Sequence, residues 1–356
     1  MKTWAFPLAA GALIASPAFA QSSVTMFGVA DASLRYLSGA TSDNKSSFAL
    51  TDGAISQSRW GIYGKEDLGQ GMKALFMLEG GYHLNNGTSQ RSGKIFNRKA
   101  YVGLEGDYGK LTIGTQDNPL WELLIEGWDP LTVGNYDQNE WMPVVFGTNG
   151  PNGGNNAVKY TKRYQDIQVG LEYIVGGVAG STARNSGYVL SVAYMGKPFG
   201  IAANVLQNRD IQANTQMIYN LDLKYEWGPA TLTLGYYNSN DKTGFVDGFL
   251  SGRGVTGGPN PRKDNAFFAG VAYQVSKPLT LSAAVYYDRA TNVNGVTGDA
   301  GDGSRETYVL LAEYGFSRRT TLYGTVDYSV GHGAQRAEFP NGHDQTGVGV
   351  GLRHRF

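Results

Sequence analysis

The chain has 356 residues with 30 basic and 30 acidic side chains, so no net positive charge draws it toward nucleic acid. It carries 50 glycines, 22 tyrosines, 12 prolines and no cysteine. These counts exclude a disulfide scaffold, an iron–sulfur site and cysteine-ligated zinc, and the aromatic content excludes a disordered chain.

Residues 1–20 read as a cleavable secretory signal. Met1-Lys2 gives a short positive start, Trp4 to Ile14 is apolar apart from Pro7 and Gly11, and Ala18-Phe19-Ala20 is a small-x-small cleavage site. The apolar run is too short for the ~20 residues of a membrane-spanning helix. Cleavage there leaves a single domain, 21–356, with 29 basic and 30 acidic side chains. No later stretch reaches ~18 consecutive apolar residues, which leaves an exported soluble protein or a membrane β-barrel.

Alternation then runs through the rest of the chain. Over Gln216 to Trp227, Met217, Tyr219, Leu221, Leu223, Tyr225 and Trp227 share one face. The other face is polar, with Ile218 as the one exception. Period two is strand, because successive strand side chains point to opposite faces. Sixteen strands are predicted, near 23–37, 55–67, 71–84, 95–105, 108–116, 155–163, 166–176 and 185–196, then 198–208, 215–227, 229–239, 264–275, 278–289, 304–315, 319–331 and 344–356. Short turns such as Trp227-Gly228-Pro229 alternate with long polar connections at 38–54, 117–154, 240–263, 290–303 and 332–343. That rhythm is the signature of an outer-membrane barrel, with apolar residues toward lipid and polar ones toward the lumen. Alternation alone also fits a sandwich. Sixteen strands without a domain break favour the barrel, since closure removes exposed edges.

The start Ser23-Val24-Thr25-Met26-Phe27-Gly28-Val29-Ala30-Asp31-Ala32 resembles the first strand of the general porins of Gram-negative outer membranes. Ser58-Arg59-Trp60-Gly61-Ile62-Tyr63-Gly64 is similar to their second strand, Phe96-Asn97-Arg98-Lys99-Ala100-Tyr101 to their fourth, and Gly114-Thr115-Gln116 to the end of their fifth. The terminal Phe356, with His354, Leu352, Val350 and Val348 at every second position before it, resembles the family's barrel-assembly signal. The resemblance implies an all-β fold: a sixteen-stranded antiparallel transmembrane barrel with short periplasmic turns, long outer loops and a third loop folded inward. It also implies a homotrimer in outer-membrane lipid, assembled by the barrel-assembly machinery and passing small hydrophilic solutes and ions by passive diffusion. No catalytic residue and no cofactor are implied.

The third long connection, 117–154, holds no Lys or Arg before Asn155. Its acids include Glu122, Glu126, Asp129, Asp137 and Glu140, and these are the candidate acidic side of a pore constriction, with Glu126 and Asp129 favoured because they flank Trp128. A short helical turn is expected around Glu122–Glu126. Strand parity puts Asp31, Arg35, Arg59, Lys73 and Glu79 in the lumen. Parity would turn Arg98 outward with Ala100, Val102 and Leu104; the family resemblance places it at the constriction instead. Arg35, Arg59, Lys73 and Arg98 thus form the candidate basic wall. Some relatives carry an arginine where Gly154 precedes Asn155-Asn156, so one base of that pattern is missing here. Weak cation preference or near neutrality is the expectation. Asp299, Asp302 and Glu306 form a weak candidate Ca²⁺ site, although a solvated loop reads better. Gly252 to Gly257 matches G-x-G-x-x-G but lacks a strand before it and a helix after it. A barrel hydrolase with a rim site and a surface adhesin or receptor remain as alternatives.

Overall fold

A computed structural model describes residues 23–131, 136, 155–251, 260–294 and 300–356. The signal-peptide reading and Asp137, Glu140 and Asp299 lie outside the described residues. All strands form one antiparallel sheet that closes on itself, because β1 (Ser23–Leu37) pairs with β17 (Asp344–Arg355) at its far edge. Between them run β2 (Ser47–Asp52), β3 (Arg59–Gly69), β4 (Met72–Gly81), β5 (Lys99–Gly106), β6 (Gly109–Thr115) and β7 (Ala157–Tyr164). Then follow β8 (Ile167–Ile174), β9 (Gly187–Tyr194), β10 (Phe199–Arg209), β11 (Thr215–Trp227) and β12 (Ala230–Asp241). The sheet continues through β13 (Arg262–Gln274), β14 (Leu279–Asn294), β15 (Ala300–Gly315) and β16 (Thr320–Gly333).

Each predicted strand has its counterpart, and β2 is additional. It continues β3 rather than adding a wall position, since both pair with β1. Between Val29 and Ala32 β1 advances three positions while its partner runs from Arg59 back to Asp52, so segment 53–58 leaves the ladder as a wide bulge. The bulge turns inward. Ala54 N–H donates to the Tyr323 hydroxyl at 2.8 Å, and that hydroxyl donates to Asp31 Oδ1 at 2.7 Å. Sequence alternation could not show this, because a bulge interrupts the period it relies on.

The tightest turns follow backbone chemistry. Gly69, Gln70 and Gly71 all have positive φ between β3 and β4, a run that two glycines make inexpensive. At the closing seam Gly28 and Phe356 exchange two backbone hydrogen bonds of 3.1 Å, and the Phe356 ring lies where a Cβ on residue 28 would sit. The outward rows are exposed, including Leu221, Leu234, Phe267, Leu310, Val348, Val350 and Leu352.

The apolar core is inside the barrel. Helix α1 (Pro119–Leu123) and the π-turn Leu124–Trp128 put Leu120 and Leu124 against lumen-facing Leu206, Ile218, Tyr237, Phe268 and Tyr286. Ile218, the exception to alternation on its strand, is 1% exposed because it packs in this cluster. Asn118 caps the helix by accepting a 2.9 Å bond from Trp121 N–H, and Pro119 occupies the first turn, where no N–H is needed. The helical turn expected around Glu122–Glu126 is present and starts three residues earlier.

At the long-loop end a second inward assembly forms around Arg262. Its guanidinium meets Asp264 at 2.7 Å, Glu338 at 2.9 Å, Asp247 at 3.0 Å and Asp288 at 3.5 Å. Asp247 belongs to the short helix Phe245–Ser251, and Glu338 to a 3₁₀ turn, Ala334–Glu338. One side chain thereby ties two long connections to β13 and β14.

Candidate functional site: a charged constriction

The inward loop hugs only part of the wall. Pro119 sits over Gly170 of β8, Trp128 over Gly200 of β10, Pro130 over Gly270 of β13 and Tyr136 over Gly349 of β17. Each is a lumen-facing position where a Cβ would collide with the loop. Asp129 fixes the same path by accepting a 2.6 Å bond from the Tyr286 hydroxyl. Tyr136 donates to Ser33 Oγ at 2.9 Å and lies 3.7 Å from the Arg35 guanidinium carbon. The loop thus lines the sector from β8 to β17. Beside β3, β4 and the lower half of β1 an opening of about 370 Å³ remains.

Arg59, Arg98, Lys99 and Arg355 line this opening with Glu79 and Asp117, and Trp121 and Ile125 of the loop form its opposite side. Arg98 Nε donates to Glu79 Oε1 at 2.7 Å, and Arg59 Nε lies 3.9 Å from the other Glu79 oxygen. Arg98 also hydrogen-bonds Gln57 of the inward bulge. Parity misjudged Arg98 because β5 begins at Lys99, so residue 98 lies outside the alternating segment.

The other candidates are placed differently. Arg35 is six residues further toward the long loops than Val29, the ladder partner of Arg59, and is paired with Asp327 at 3.1 Å. Lys73 has the expected parity but the wrong depth: it is exposed beside the Gln70-Gly71 turn, six positions from Glu79. Asp129 faces the wall and is 3% exposed, so it does not reach the opening. Glu122 is held by Lys159 at 2.7 Å. Glu126 is exposed and makes no ion pair among the described residues. Partial desolvation inside the lumen, then the neighbouring Glu122, raises its carboxyl above its ordinary value. Asp117 shows the opposite balance. Burial raises it, but Lys99 at 2.9 Å and then Arg98 bring its carboxyl below the ordinary value.

Lys99, Lys159 and Arg355 were not singled out from the sequence. Lys99 and Arg355 had a readable signal, since each shares parity with a lumen row: Lys99 with Tyr101, Arg355 with Gly349 and Gly351. The pairing of Lys99 with Asp117 and of Lys159 with Glu122 needs the loop path. Each pair offsets one loop acid with one wall base.

A closed barrel with lipid-facing apolar rows, an inward loop and a charged gap is the architecture of a diffusion channel. The sequence profile described as Gram-negative porin matches residues 8–334. The chain belongs to the Gram-negative porin family. An outer membrane porin of Bordetella pertussis is 29% identical, with 98% of this chain and 99% of that relative covered. Outer membrane porin protein 32 of Delftia acidovorans is 27% identical, with 95% of each covered. Among solved structures, an anion-selective porin from Comamonas acidovorans superposes with a TM-score of 0.74 at 22% identity, covering 94% of this chain and 100% of that one. The porin described here is therefore an outer-membrane channel of a Gram-negative cell, built as a sixteen-stranded barrel.

Proposed function

We propose that this porin passes small hydrophilic solutes by passive diffusion, without a catalytic role, and favours anions at its constriction. The observation that carries the reading is the excess of bases there. Arg59, Arg98, Lys99 and Arg355 line the gap against Glu79 and Asp117. This reading takes the place of the expected weak cation preference or near neutrality, because Asp129 turns to the wall and Glu122 is neutralised by Lys159. The Comamonas acidovorans porin of similar fold is anion-selective, which agrees with this reading. A gap narrower than the ~8 Å Debye length at physiological salt leaves such charges poorly screened. The reversal potential in a salt gradient tests it. Wild type should be anion-selective, and R59Q/R98Q should move the potential to zero or beyond it. A cation-selective wild type would assign the field to loop acids such as Asp137 and Glu140 instead.

The same proposal includes export with cleavage after Ala20, assembly as a homotrimer in outer-membrane lipid, and recognition of the last strand during assembly. Phe356 supports the last point, since its backbone closes the seam to Gly28. Deleting Phe356 should sharply lower the amount of folded porin in the outer membrane. A normal amount, measured by heat-modifiable mobility, would detach assembly from this residue. The family match over residues 8–334 supports the channel reading over the hydrolase and adhesin alternatives.

A further inference from the structure

The inward bulge 53–58 forms a side of the gap in its own right. Ile55, Ser56 and Gln57 line the opening beside the wall arginines. Bulges re-aim side chains next to functional sites, and this one is anchored along its length. Ser58 is fully buried; its Oγ accepts a 3.0 Å bond from Asp31 N–H and donates to Asp31 O at 3.1 Å. Ser56 Oγ accepts from Arg353 Nη1 at 3.2 Å. Ala54 O accepts a 2.9 Å bond from the N–H of Tyr136 in the inward loop. With residues 54, 56 and 58 held in this way, the backbone at Gln57 has little freedom.

Gln57 meets both wall arginines, each with a different atom. Its side-chain oxygen accepts from Arg98 Nη1, and its backbone carbonyl accepts from Arg59 Nη1 at 3.0 Å. Glu79 approaches the same two guanidiniums from the wall, at 2.7 Å from Arg98 Nε and 3.9 Å from Arg59 Nε. The two like charges therefore sit between one carboxylate and one amide residue. Those two supports are not equivalent. A guanidinium has only donors and needs acceptors to keep one orientation. A carboxylate cancels a charge as it holds it, whereas an amide or carbonyl oxygen holds the donor and leaves the charge in place.

We infer that Gln57 is a positioning residue for selectivity. Its uncharged oxygens keep the Arg98 and Arg59 guanidiniums turned to the gap, so that Glu79 does not neutralise them by closer pairing. The side chain acts through Arg98 and the main chain through Arg59. This inference rests on the gap being the selective part of the channel. It adds a second inward segment, on the wall side, to the long inward loop.

The test is the reversal potential of full-length porin in a planar bilayer under a salt gradient. Q57M keeps the length of the side chain and removes its acceptor, so Arg98 should fold onto Glu79. The anion-to-cation permeability ratio should then fall about twofold or more, the coupling expected of neighbours in one hydrogen-bond network. Q57E keeps an acceptor but adds a negative charge, and should lower the ratio further than Q57M. In an R98M background, adding Q57M should change nothing more. In an R59M background the Q57M shift should persist, because the main chain holds Arg59. An unchanged ratio in Q57M would overturn the inference. So would a Q57M shift of the same size with R98M present, which would make the bulge a steric wall only. A cation-selective wild type would refute the anion preference proposed above, while the dependence of the Q57M shift on Arg98 would still decide the role of Gln57.

Discussion

Replacing Trp128 by alanine is expected to raise single-channel conductance in a planar bilayer. Trp128 is 1% exposed and packs with Leu123, Ala193 and Ala202. Truncating a buried aromatic costs about 3–5 kcal/mol through lost contact and the cavity left behind. Here the cost falls on the attachment of the inward loop rather than on the barrel, whose strands keep their full ladder. The loop should therefore loosen while the wall survives. A second variant approaches the same contact from the other side. A Cβ at residue 200 would meet the Trp128 ring at 2.9 Å, so G200V should displace the indole and raise conductance in the same direction. Unchanged conductance in both variants would show that the loop position does not limit ion flow.

Arg262 carries the other large effect. Four carboxylates surround it, Asp247, Asp264, Asp288 and Glu338, and Arg305 reaches Glu338 at 3.4 Å. Removing one partner of a buried ion cluster costs about 3–5 kcal/mol, because the remaining charges stay desolvated without compensation. In R262A the cluster would hold four carboxylates against one guanidinium. Its cheapest relief is for the helix Phe245–Ser251 and the turn Ala334–Glu338 to leave the lumen and rehydrate Asp247 and Glu338. Loss of amide-exchange protection in these two segments is the expected result, with β13 and β14 still protected. R262K should recover only part of it, since an ammonium lacks the planar fork that reaches several carboxylates at once. Full protection in R262A would mean that the segments are held by other contacts.

The barrel itself was legible in the sequence because lipid and lumen impose opposite demands on successive residues. Leu221 beside Asp222 is that demand in one dipeptide, and it recurs from β1 to β17. Strand number, the alternation of short and long connections and the lumen side of Arg59 and Glu79 all follow from this period. The exceptions to it were equally informative once the loop was placed. Ile218, Leu206 and Phe268 break the polar inner row because the inward loop covers them, and Gly170, Gly200 and Gly270 are small because it approaches closely.

The sequence by itself determined a barrel with a charged lumen and a long third connection poor in bases. Only the tertiary structure decided which charges meet. Alternation states which side of the wall a residue faces, but not its depth, so Lys73 and Arg59 looked alike although one lies by the turn and the other at the gap. Periodicity is also silent beyond strand ends, where Arg98 and the bulge 53–58 enter the lumen. The loop's acids had no period to be read by. Their fates were set by contacts between residues far apart in the chain, Asp129 with Tyr286 and Glu122 with Lys159, and charge in a narrow opening is the remainder after such pairs form.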